Sequence, residues 1–243
     1  MAPSIATLAK ATRVGLDAAR TSEIERRHRA DHQAMTIVAC SLLGRTDDAV
    51  DVGAHEGANM SHMARCAPLG RHLAVEPCPE YAETLRGLLP ANVSVAQYAL
   101  GHSDIEDEIE FVHAVERVSH GEVHPSDFEQ GKRFERLRVP SISLDALVER
   151  HGLNPKLIRI SVEGAETAVL EGARRTIQRC QPVLMIEHGT AATAYGDTSS
   201  LFYDVVTDLG LRIYDFSGTG PYDRAGFLRA VGPFGSSNFL LRT

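Results

Sequence analysis

The sequence predicts an α/β fold in which a mostly parallel β-sheet is covered by helices on both faces. From residue 49 onwards, short apolar runs that suit buried strands alternate with segments whose apolar residues recur at helical spacing. This alternation is typical of βαβ units, in which each helix carries the chain back to begin the next parallel strand. The length of 243 residues fits one such domain with additions.

Charge and composition narrow the classes of partner. The formal net charge is −7 at pH 7 with neutral histidines, so the surface as a whole is a poor match for a nucleic-acid backbone. No apolar run reaches the roughly 18 residues that a membrane-spanning helix needs, and the first residues lack the pattern of a secretory signal peptide. We therefore expect a soluble cytoplasmic protein with no nucleic-acid partner and no membrane span.

The cysteines fit this expectation. They are widely spaced and show no pattern typical of a disulfide framework or a metal site, so we expect all of them to be reduced thiols. The four positions are Cys40, Cys66, Cys78 and Cys180.

The chain divides into an N-terminal helical extension, residues 1–46, and a main domain, residues 47–243. The predicted strands of the main domain are, in order, AVDVG, HLAVEP, VSVAQYALG, LIRISVE and PVLMIEHG. The predicted helices between them are MSHMARCA, EYAETLRGLL, SLDALVERHG and AETAVLEGARRTIQRC. The tail adds a helix, LFYDVVTDLG, and two strands, LRIYDFS and NFLLRT.

Residues 104–140 interrupt the alternation of strands and helices. The segment EDEIEFVHA is predicted to be one strand of an inserted hairpin, and the polar residues after it are predicted to form a long loop. A loop of this length inside a compact domain is more often functional than idle. We therefore expect His120 and His124 to contact the substrate, the alternative being that both are simply solvated.

The turn after the first predicted strand has the pattern of a ligand-binding turn. AVDVGAHEG places Gly53 and Gly57 between a strand and a helix, where α/β sheets bring ligands against backbone N–H groups. Glu76 ends the next strand, where its carboxylate can accept hydrogen bonds from both hydroxyls of a ribose. A dinucleotide requires G-x-G-x-x-G, and His55 stands where the second glycine should be. Since S-adenosylmethionine has a ribose but no pyrophosphate, the turn favours this methyl donor over NAD(P).

Two further strands end in polar residues that could serve methyl transfer to a hydroxyl. The strand LIRISVE alternates apolar and polar residues, so Arg159, Ser161 and Glu163 are predicted to point to one face. Glu187 and His188 directly follow the apolar run VLMI. Because ligands bind outside the carboxyl ends of such strands, we predict Glu163, Glu187 and His188 as catalytic residues, with a general base contributing about 10²–10⁴-fold in rate.

Two versions of this chemistry remain open. Without a metal, His188 is the general base. With a metal, Mg²⁺ binds carboxylate oxygens of Glu163 and Glu187 and holds two neighbouring hydroxyls, since magnesium needs only one or two protein carboxylates besides water and substrate. Glu166 is expected instead to begin the following helix, where the macrodipole favours a negative charge.

The motifs DVGAHEG, AVEPCPE, YALG, SLDAL, IRISVEGAE…VLEGA and IEHG, in this order, resemble those of FkbM-type S-adenosylmethionine-dependent methyltransferases. The resemblance covers about residues 49–189. It implies a class I methyltransferase fold, a Rossmann-like, seven-stranded and mostly parallel sheet with helices on both faces and one antiparallel strand, which we expect to be NFLLRT.

The resemblance also implies which residues bind S-adenosylmethionine. Those around its methionine end are Asp51, Gly53, Ala54, His55, Glu56 and Gly57. Glu76 would hold the ribose, and the residues beside the adenine would be Pro77 and Cys78 on one side and Tyr98, Ala99 and Leu100 on the other.

Most members of this family are O-methyltransferases of sugars or natural products, so the resemblance implies a carbohydrate or a glycosylated metabolite as acceptor. The Arg- and Ala-rich composition would suit an actinobacterial polysaccharide enzyme, for instance one acting on mannose oligomers. The family usually has an aspartate where this chain has Ser161. That departure motivates one alternative, a catalytically inactive S-adenosylmethionine-binding protein; an NAD(P)-dependent oxidoreductase is the other. The assembly is left open, a homodimer included.

Overall fold

The computed structural model describes residues 33–114, 134–162, 164–188, 198–231 and 237–243. The strands within these residues are β1 (Asp48–Val52), β2 (His72–Val75), β3 (Val93–Ala96), β4 (Ala99–Gly101), β5 (Asp107–Ala114), β6 (Phe134–Ser143), β7 (Pro155–Ile160), β8 (Val183–Glu187), β9 (Arg212–Asp215) and β10 (Asn238–Arg242). The helices are α1 (33–42), α2 (Ala58–Cys66), α3 (Pro79–Leu88), α4 (Leu144–Arg150), α5 (Glu166–Glu171), α6 (Arg174–Cys180), α7 (Ser199–Asp208) and α8 (Arg224–Ala230).

Seven strands form one sheet in the order β3-β2-β1-β7-β8-β10-β9. Each neighbouring pair from β3 to β8 is parallel, whereas β10 runs antiparallel to both β8 and β9. This is the predicted α/β sheet, and NFLLRT supplies its antiparallel strand as predicted. The order brings the carboxyl ends of β2, β1, β7 and β8 side by side at one edge.

The central strands are continuous apolar runs because both faces of the sheet are covered. All five residues of β1 are buried, as expected for a strand with helices on each side. Successive residues face opposite cores: Ala49 packs in the group that includes Met35 of α1 and Met60 of α2. Val50 packs in the larger group beneath α4 to α8, which includes Phe202.

The predicted inserted hairpin is confirmed, although it extends further than expected. The whole of β5 pairs antiparallel with residues 134–141 of β6, and the end of β6 also pairs in parallel with β4. The run VSVAQYALG therefore divides between the two sheets at residues 97–98 instead of forming one strand. His120 and His124 lie outside the described residues, so their predicted contact with substrate stays a prediction.

The predicted helix AETAVLEGARRTIQRC divides into α5 and α6. A Cβ on Gly172 would lie 2.1 Å from the Gly101 carbonyl oxygen, so the chain between the two helices passes directly over β4. The carboxylate of Asp145, from α4, accepts hydrogen bonds from the N–H groups of Arg175 and Thr176 at 2.9 and 2.7 Å. It thereby caps α6 from outside, which satisfies N–H groups that have no partner within the helix.

Two cysteines differ from expectation. Cys40 of α1 and Cys66 at the end of α2 form a disulfide, with their Cα atoms 5.2 Å apart. The prediction of four reduced thiols is therefore wrong for this pair, because the packing of α1 on α2 brings together two residues 26 positions apart in sequence. Cys78 and Cys180 are free thiols.

A buried histidine links β2 to its surroundings. Nδ1 of His72 accepts a hydrogen bond from the Ala49 N–H at 3.2 Å, and Nε2 donates to the Ala67 carbonyl oxygen at 2.9 Å. Burial lowers the pKa of His72 below its ordinary value, which the Ala67 carbonyl and Asp48 oppose only in part. The neutral ring satisfies both backbone groups, whereas a proton on Nδ1 would break the bond to Ala49.

We therefore predict that His72 makes stability depend on pH. Because its pKa is lower in the folded than in the unfolded chain, its contribution is present above the ordinary histidine pKa and is lost as the pH falls below it. Urea unfolding between pH 5.5 and 8 should give a shallower pH dependence for His72→Asn than for the native chain, by at most about 1.4 kcal/mol per pH unit. Equal slopes for both proteins would contradict this role.

Candidate active site

Polar side chains gather where β1, β2, β7 and β8 end. Asp51 is the penultimate residue of β1, and Glu187 is the last residue of β8. Glu76 directly follows β2, and Ser161 directly follows β7. Because these four strands are neighbours in the sheet and all three junctions between them are parallel, the four side chains lie along one edge of the sheet. Sequence reasoning predicted this gathering of polar groups.

The turn after β1 requires its glycines. Gly53 has φ 78°, and a Cβ there would lie 1.9 Å from the Ser161 carbonyl oxygen. Gly57 has φ 80°, and a Cβ there would lie 2.6 Å from Leu85. Only glycine adopts this left-handed backbone without a steric penalty, so both glycines serve close packing of the turn. The first of them lets the turn lie directly against the end of β7.

His55 occupies the middle of this turn. Its backbone also has a positive φ, 47°, which is uncommon for a residue with a side chain. Its ring is exposed and lies 4.1 Å, centroid to centroid, from the ring of Tyr81 on α3. The exposed Glu56 follows it, while Ala54 is buried and donates its N–H to the Val75 carbonyl oxygen at 3.0 Å.

The carboxylate of Glu76 is buried, with the residue 5% exposed, and it faces the glycine turn. Oε2 accepts the His55 N–H and Oε1 accepts the Cys78 N–H, both at 2.9 Å. Burial raises the pKa of Glu76, and the nearby Asp51 raises it further, while the two backbone N–H groups lower it. Since an ionised carboxylate has about four acceptor positions, each oxygen keeps capacity for one further donor.

A buried ion network crosses three strands beside this carboxylate. Nη1 of Arg159 donates to Asp51 Oδ1 at 2.9 Å and to the Gly53 carbonyl oxygen at 3.2 Å. Nη2 of Arg159 lies 3.8 Å from Glu187 Oε2, which also accepts the Ser161 hydroxyl at 2.8 Å. Among the described residues, Asp51 Oδ2 and Arg159 Nε are buried without a hydrogen-bond partner.

Arg159 had no predicted functional role. The available signal was an arginine inside the apolar run LIRI, because a charged residue in a buried strand needs a partner. That partner, Asp51, is 108 positions away in sequence and stands opposite Arg159 in the register of β1 and β7.

Glu187 is the accessible carboxylate of this network. Its side chain is 31% exposed, compared with 0% for Asp51 and 8% for Arg159. Its position fits the predicted catalytic role. Glu163, the other predicted catalytic carboxylate, lies outside the described residues, and its role stays a prediction.

His188 points away from this edge. The residue is 0% exposed, its ring stacks on Phe202 at 4.1 Å, and Nε2 lies 3.1 Å from the Ser199 hydroxyl. Nδ1 lies 3.5 Å from Glu166 Oε2. Because successive residues of a strand face opposite sides, the position after Glu187 faces the core. This geometry does not favour His188 as the general base.

Glu166 begins α5, as predicted, and its side chain is buried. Its Oε1 accepts the Gly164 N–H at 2.9 Å. It therefore fixes the backbone on the carboxyl side of residue 163, while its second oxygen faces His188.

The donor set does not favour the predicted Mg²⁺ site. Within the described ranges, no three His, Cys, Asp or Glu side chains are grouped so that they could hold a metal ion. The guanidinium of Arg159 already places a positive charge 3.8 Å from Glu187 Oε2, and a second cation there would be repelled. Since Glu163 lies outside the described residues, the proposed ligand pair rests on the sequence alone.

The residues predicted on the two sides of the adenine differ from each other in their surroundings. Pro77 and the buried Cys78 lead into α3, and burial raises the pKa of the Cys78 thiol. The Tyr98 hydroxyl contacts Glu106 and Arg150 at 3.2 and 3.1 Å.

The last two predicted adenine contacts, Ala99 and Leu100, are buried in β4. Leu100 packs in the apolar core with Ile142. Its predicted contact with the adenine is therefore not favoured.

The acceptor groups at this edge of the sheet fit the polar groups of S-adenosylmethionine. Glu76 offers two acceptor oxygens for a ribose diol, and the unpartnered Asp51 Oδ2 offers an acceptor for an ammonium group. Asp51 lies close enough to Glu76 for its charge to raise the pKa of Glu76, so the two acceptors are neighbours at this edge.

The sheet order is that expected for a class I methyltransferase, and the comparison with known families agrees with it. The methyltransferase FkbM domain matches residues 51–213, more than half of the chain. The chain belongs to this family. No curated protein is similar enough to the chain to count as a match.

Solved structures resemble the chain at low sequence identity. Methyltransferase FkbM from Methylobacillus flagellatus KT is 18% identical with a TM-score of 0.49; the match covers 84% of this chain and 45% of that one. Cofactor-bound Rv0187 from MTB is 17% identical with a TM-score of 0.46, covering 99% and 97%. The mitomycin 7-O-methyltransferase MmcR is 15% identical with a TM-score of 0.41, covering 87% and 53%. The chain therefore spans less than half the length of the first of these structures.

The helices in the part of the chain that the structure describes are all too short or too polar to cross a membrane.

We predict that Gly53→Ala is much more destabilising than Gly210→Ala. Both glycines have a positive φ, but the space around Gly210 is open, so that variant carries only the backbone penalty of about 1–2 kcal/mol. At Gly53 the contact with the Ser161 carbonyl adds about 1–3 kcal/mol, as overpacking does. Urea unfolding measures both free energies, and equal losses would contradict the close contact between turn and strand.

Proposed function

We propose that this protein transfers the methyl group of S-adenosylmethionine to a hydroxyl of a carbohydrate or a glycosylated metabolite. The observation that carries the donor assignment is the buried Glu76 carboxylate, fixed by two backbone N–H groups and facing the glycine turn. Membership of the FkbM methyltransferase family supports the reaction class. The acceptor class rests on the sequence resemblance.

When bound, S-adenosylmethionine supplies an electrophilic methyl group. The residues of this chain would hold it in place: Glu76 would accept the ribose hydroxyls, and Asp51 the ammonium group. Glu187 is our candidate for orienting the acceptor hydroxyl and accepting its proton, because it is the partly exposed carboxylate of the ion network. Glu163 remains a second candidate from the sequence.

Glu187 can act without a metal ion. The Ser161 hydroxyl donates to its Oε2 and the Arg159 guanidinium lies 3.8 Å from the same oxygen, so the chain itself holds the side chain in one orientation. The other oxygen, Oε1, would face the acceptor. Positioning of the hydroxyl in line with the methyl group would contribute further to the rate.

One observation favours a second function, a catalytically inactive S-adenosylmethionine-binding protein. Ser161 replaces the usual aspartate of the family, and its hydroxyl is engaged with Glu187. This alternative shares the donor site and differs only in turnover. An NAD(P)-dependent oxidoreductase is less consistent with the site, because His55 occupies the position where a pyrophosphate needs a bare backbone.

A cytoplasmic location and a homodimer are further proposals from the sequence. The cytoplasmic location was supported by the expectation of four reduced thiols. The Cys40–Cys66 disulfide removes that support, since disulfides are rare in the cytosol. Thiol titration of protein purified under alkylating conditions and size-exclusion chromatography address the two proposals.

The donor site is tested by calorimetry with S-adenosylhomocysteine. We expect Glu76→Gln to weaken binding about 10-fold or more, because the variant loses charge-assisted hydrogen bonds to the ribose. Glu83→Gln, an exposed change on α3, is the matched control and should bind like the native chain. Since the pKa of Glu76 is raised, native binding should weaken as the pH falls through that raised value, whereas Glu76→Gln should not change with pH in this range. No binding by the native chain would exclude the proposal.

Turnover is tested by mass spectrometry after incubation with a panel of mono- and oligosaccharides that includes mannose oligomers. We expect methylated product, an unchanged rate with EDTA, and a kcat about 10²–10⁴-fold lower in Glu187→Gln. Donor binding without product on any acceptor would favour the inactive binding protein. A rate that EDTA abolishes and Mg²⁺ restores would favour the mechanism in which a metal ion holds the acceptor hydroxyls.

A further inference from the structure

Arg159 lies at the centre of the candidate site and is almost completely buried. It donates to Asp51 on one side and approaches Glu187 on the other, so its guanidinium joins the donor end of the site to the proposed acceptor end. The strand that carries it, β7, lies between β1 and β8 in the sheet. Arg159 is therefore the central group of a row of three charges along the strand ends.

A purely structural ion network would be expected to satisfy its own hydrogen bonds, because an unpaired buried polar atom costs stability. This network does not do so among the described residues. Asp51 Oδ2 and Arg159 Nε are both buried and have no partner there. The described residues therefore leave two positions in this network that a bound ligand can fill.

The geometry around Asp51 indicates which kind of group would pair with its free oxygen. Arg159 Nη1 contacts one oxygen of Asp51 and the Gly53 carbonyl oxygen at the same time, which fixes the orientation of the carboxylate. The second oxygen, Oδ2, is left as an acceptor, close enough to Glu76 for the two carboxylates to interact. An acceptor beside a ribose-binding carboxylate suits a cationic donor such as an ammonium group.

We propose that Arg159 is a positioning residue for the methyl donor: it orients Asp51 so that Oδ2 receives the ammonium group of S-adenosylmethionine. The inference rests on the proposed function. Recognition of the amino-acid end of the donor then depends on Arg159 in β7. Recognition of the nucleoside end depends on Glu76 and is independent of Arg159.

Arginine suits this position better than lysine. Its planar guanidinium carries several donors in a fixed fork, so it can bond to Asp51 and Gly53 while another nitrogen faces Glu187. A lysine ammonium could reach Asp51 but could not hold all three groups at once. Arg159→Lys should therefore retain part of the effect.

The test compares two ligands that share the nucleoside and differ in the amino-acid end. S-adenosylhomocysteine has the ammonium and carboxylate groups, and 5′-methylthioadenosine lacks both. Calorimetry should show that Arg159→Met weakens binding of S-adenosylhomocysteine about 10-fold or more, as expected for loss of a charge-assisted bond. Binding of 5′-methylthioadenosine should change less than about 2-fold, and Arg159→Lys should give an intermediate loss for the first ligand alone.

Two reference variants complete the design. Arg174→Met removes an arginine that pairs with Asp208 on the surface, and it should leave both affinities unchanged. Glu76→Gln should weaken both ligands alike. Circular dichroism and thermal unfolding establish which variants are folded, and if Arg159→Met is not folded, the measurement is decided by Arg159→Lys.

The possible failures are distinguishable. If the native chain binds neither ligand, the proposed function and this inference both fall. If the native chain binds both ligands and the folded Arg159 variants weaken them equally, or weaken neither, the proposed function stands and the positioning role of Arg159 is wrong.

Discussion

The ion pair between Arg159 and Asp51 is the interaction on which the candidate site depends. It joins the carboxyl ends of β1 and β7 inside the sheet, and the same guanidinium nitrogen holds the carbonyl of Gly53 in the glycine turn. Burying a charge is costly unless it is paired and hydrogen-bonded, so each member constrains the other. The turn, the strand end and the accessible Glu187 are thereby held in one arrangement before any ligand arrives.

Burial gives the carboxylates of this edge different properties. Glu76 and Asp51 are almost completely enclosed, and each is held by donors of the chain itself, backbone N–H groups for the first and a guanidinium for the second. Glu187 is partly open to solvent. The two enclosed carboxylates suit binding of a ligand in one orientation, and the open one suits chemistry on a second molecule. Among the described side chains of the ion network and Glu76, one cation stands beside three acids, which suits a cationic ligand.

The sequence predicted the sheet, its antiparallel strand and the edge that carries the site, because buried parallel strands appear as continuous apolar runs. Contacts between distant residues were not predictable in the same way. The division of α5 from α6 depends on capping by Asp145 from another helix. The partner of Arg159, Asp51, comes from a strand 108 positions away, which the alternation of residues in β7 does not indicate. The burial of His188 was within reach of the sequence, since neighbouring strand residues face opposite sides.

The contact of Gly53 with the Ser161 carbonyl matters for any redesign of this protein. The two segments touch through backbone atoms, with no room for even one added carbon between them, so no side chain can be added at Gly53 without displacing the end of β7. An engineer who wishes to change the acceptor should therefore leave the ends of β1 and β7 as they are. The third strand end, around the partly exposed Glu187, offers a surface where side chains can be exchanged while the backbone of the donor site keeps its place.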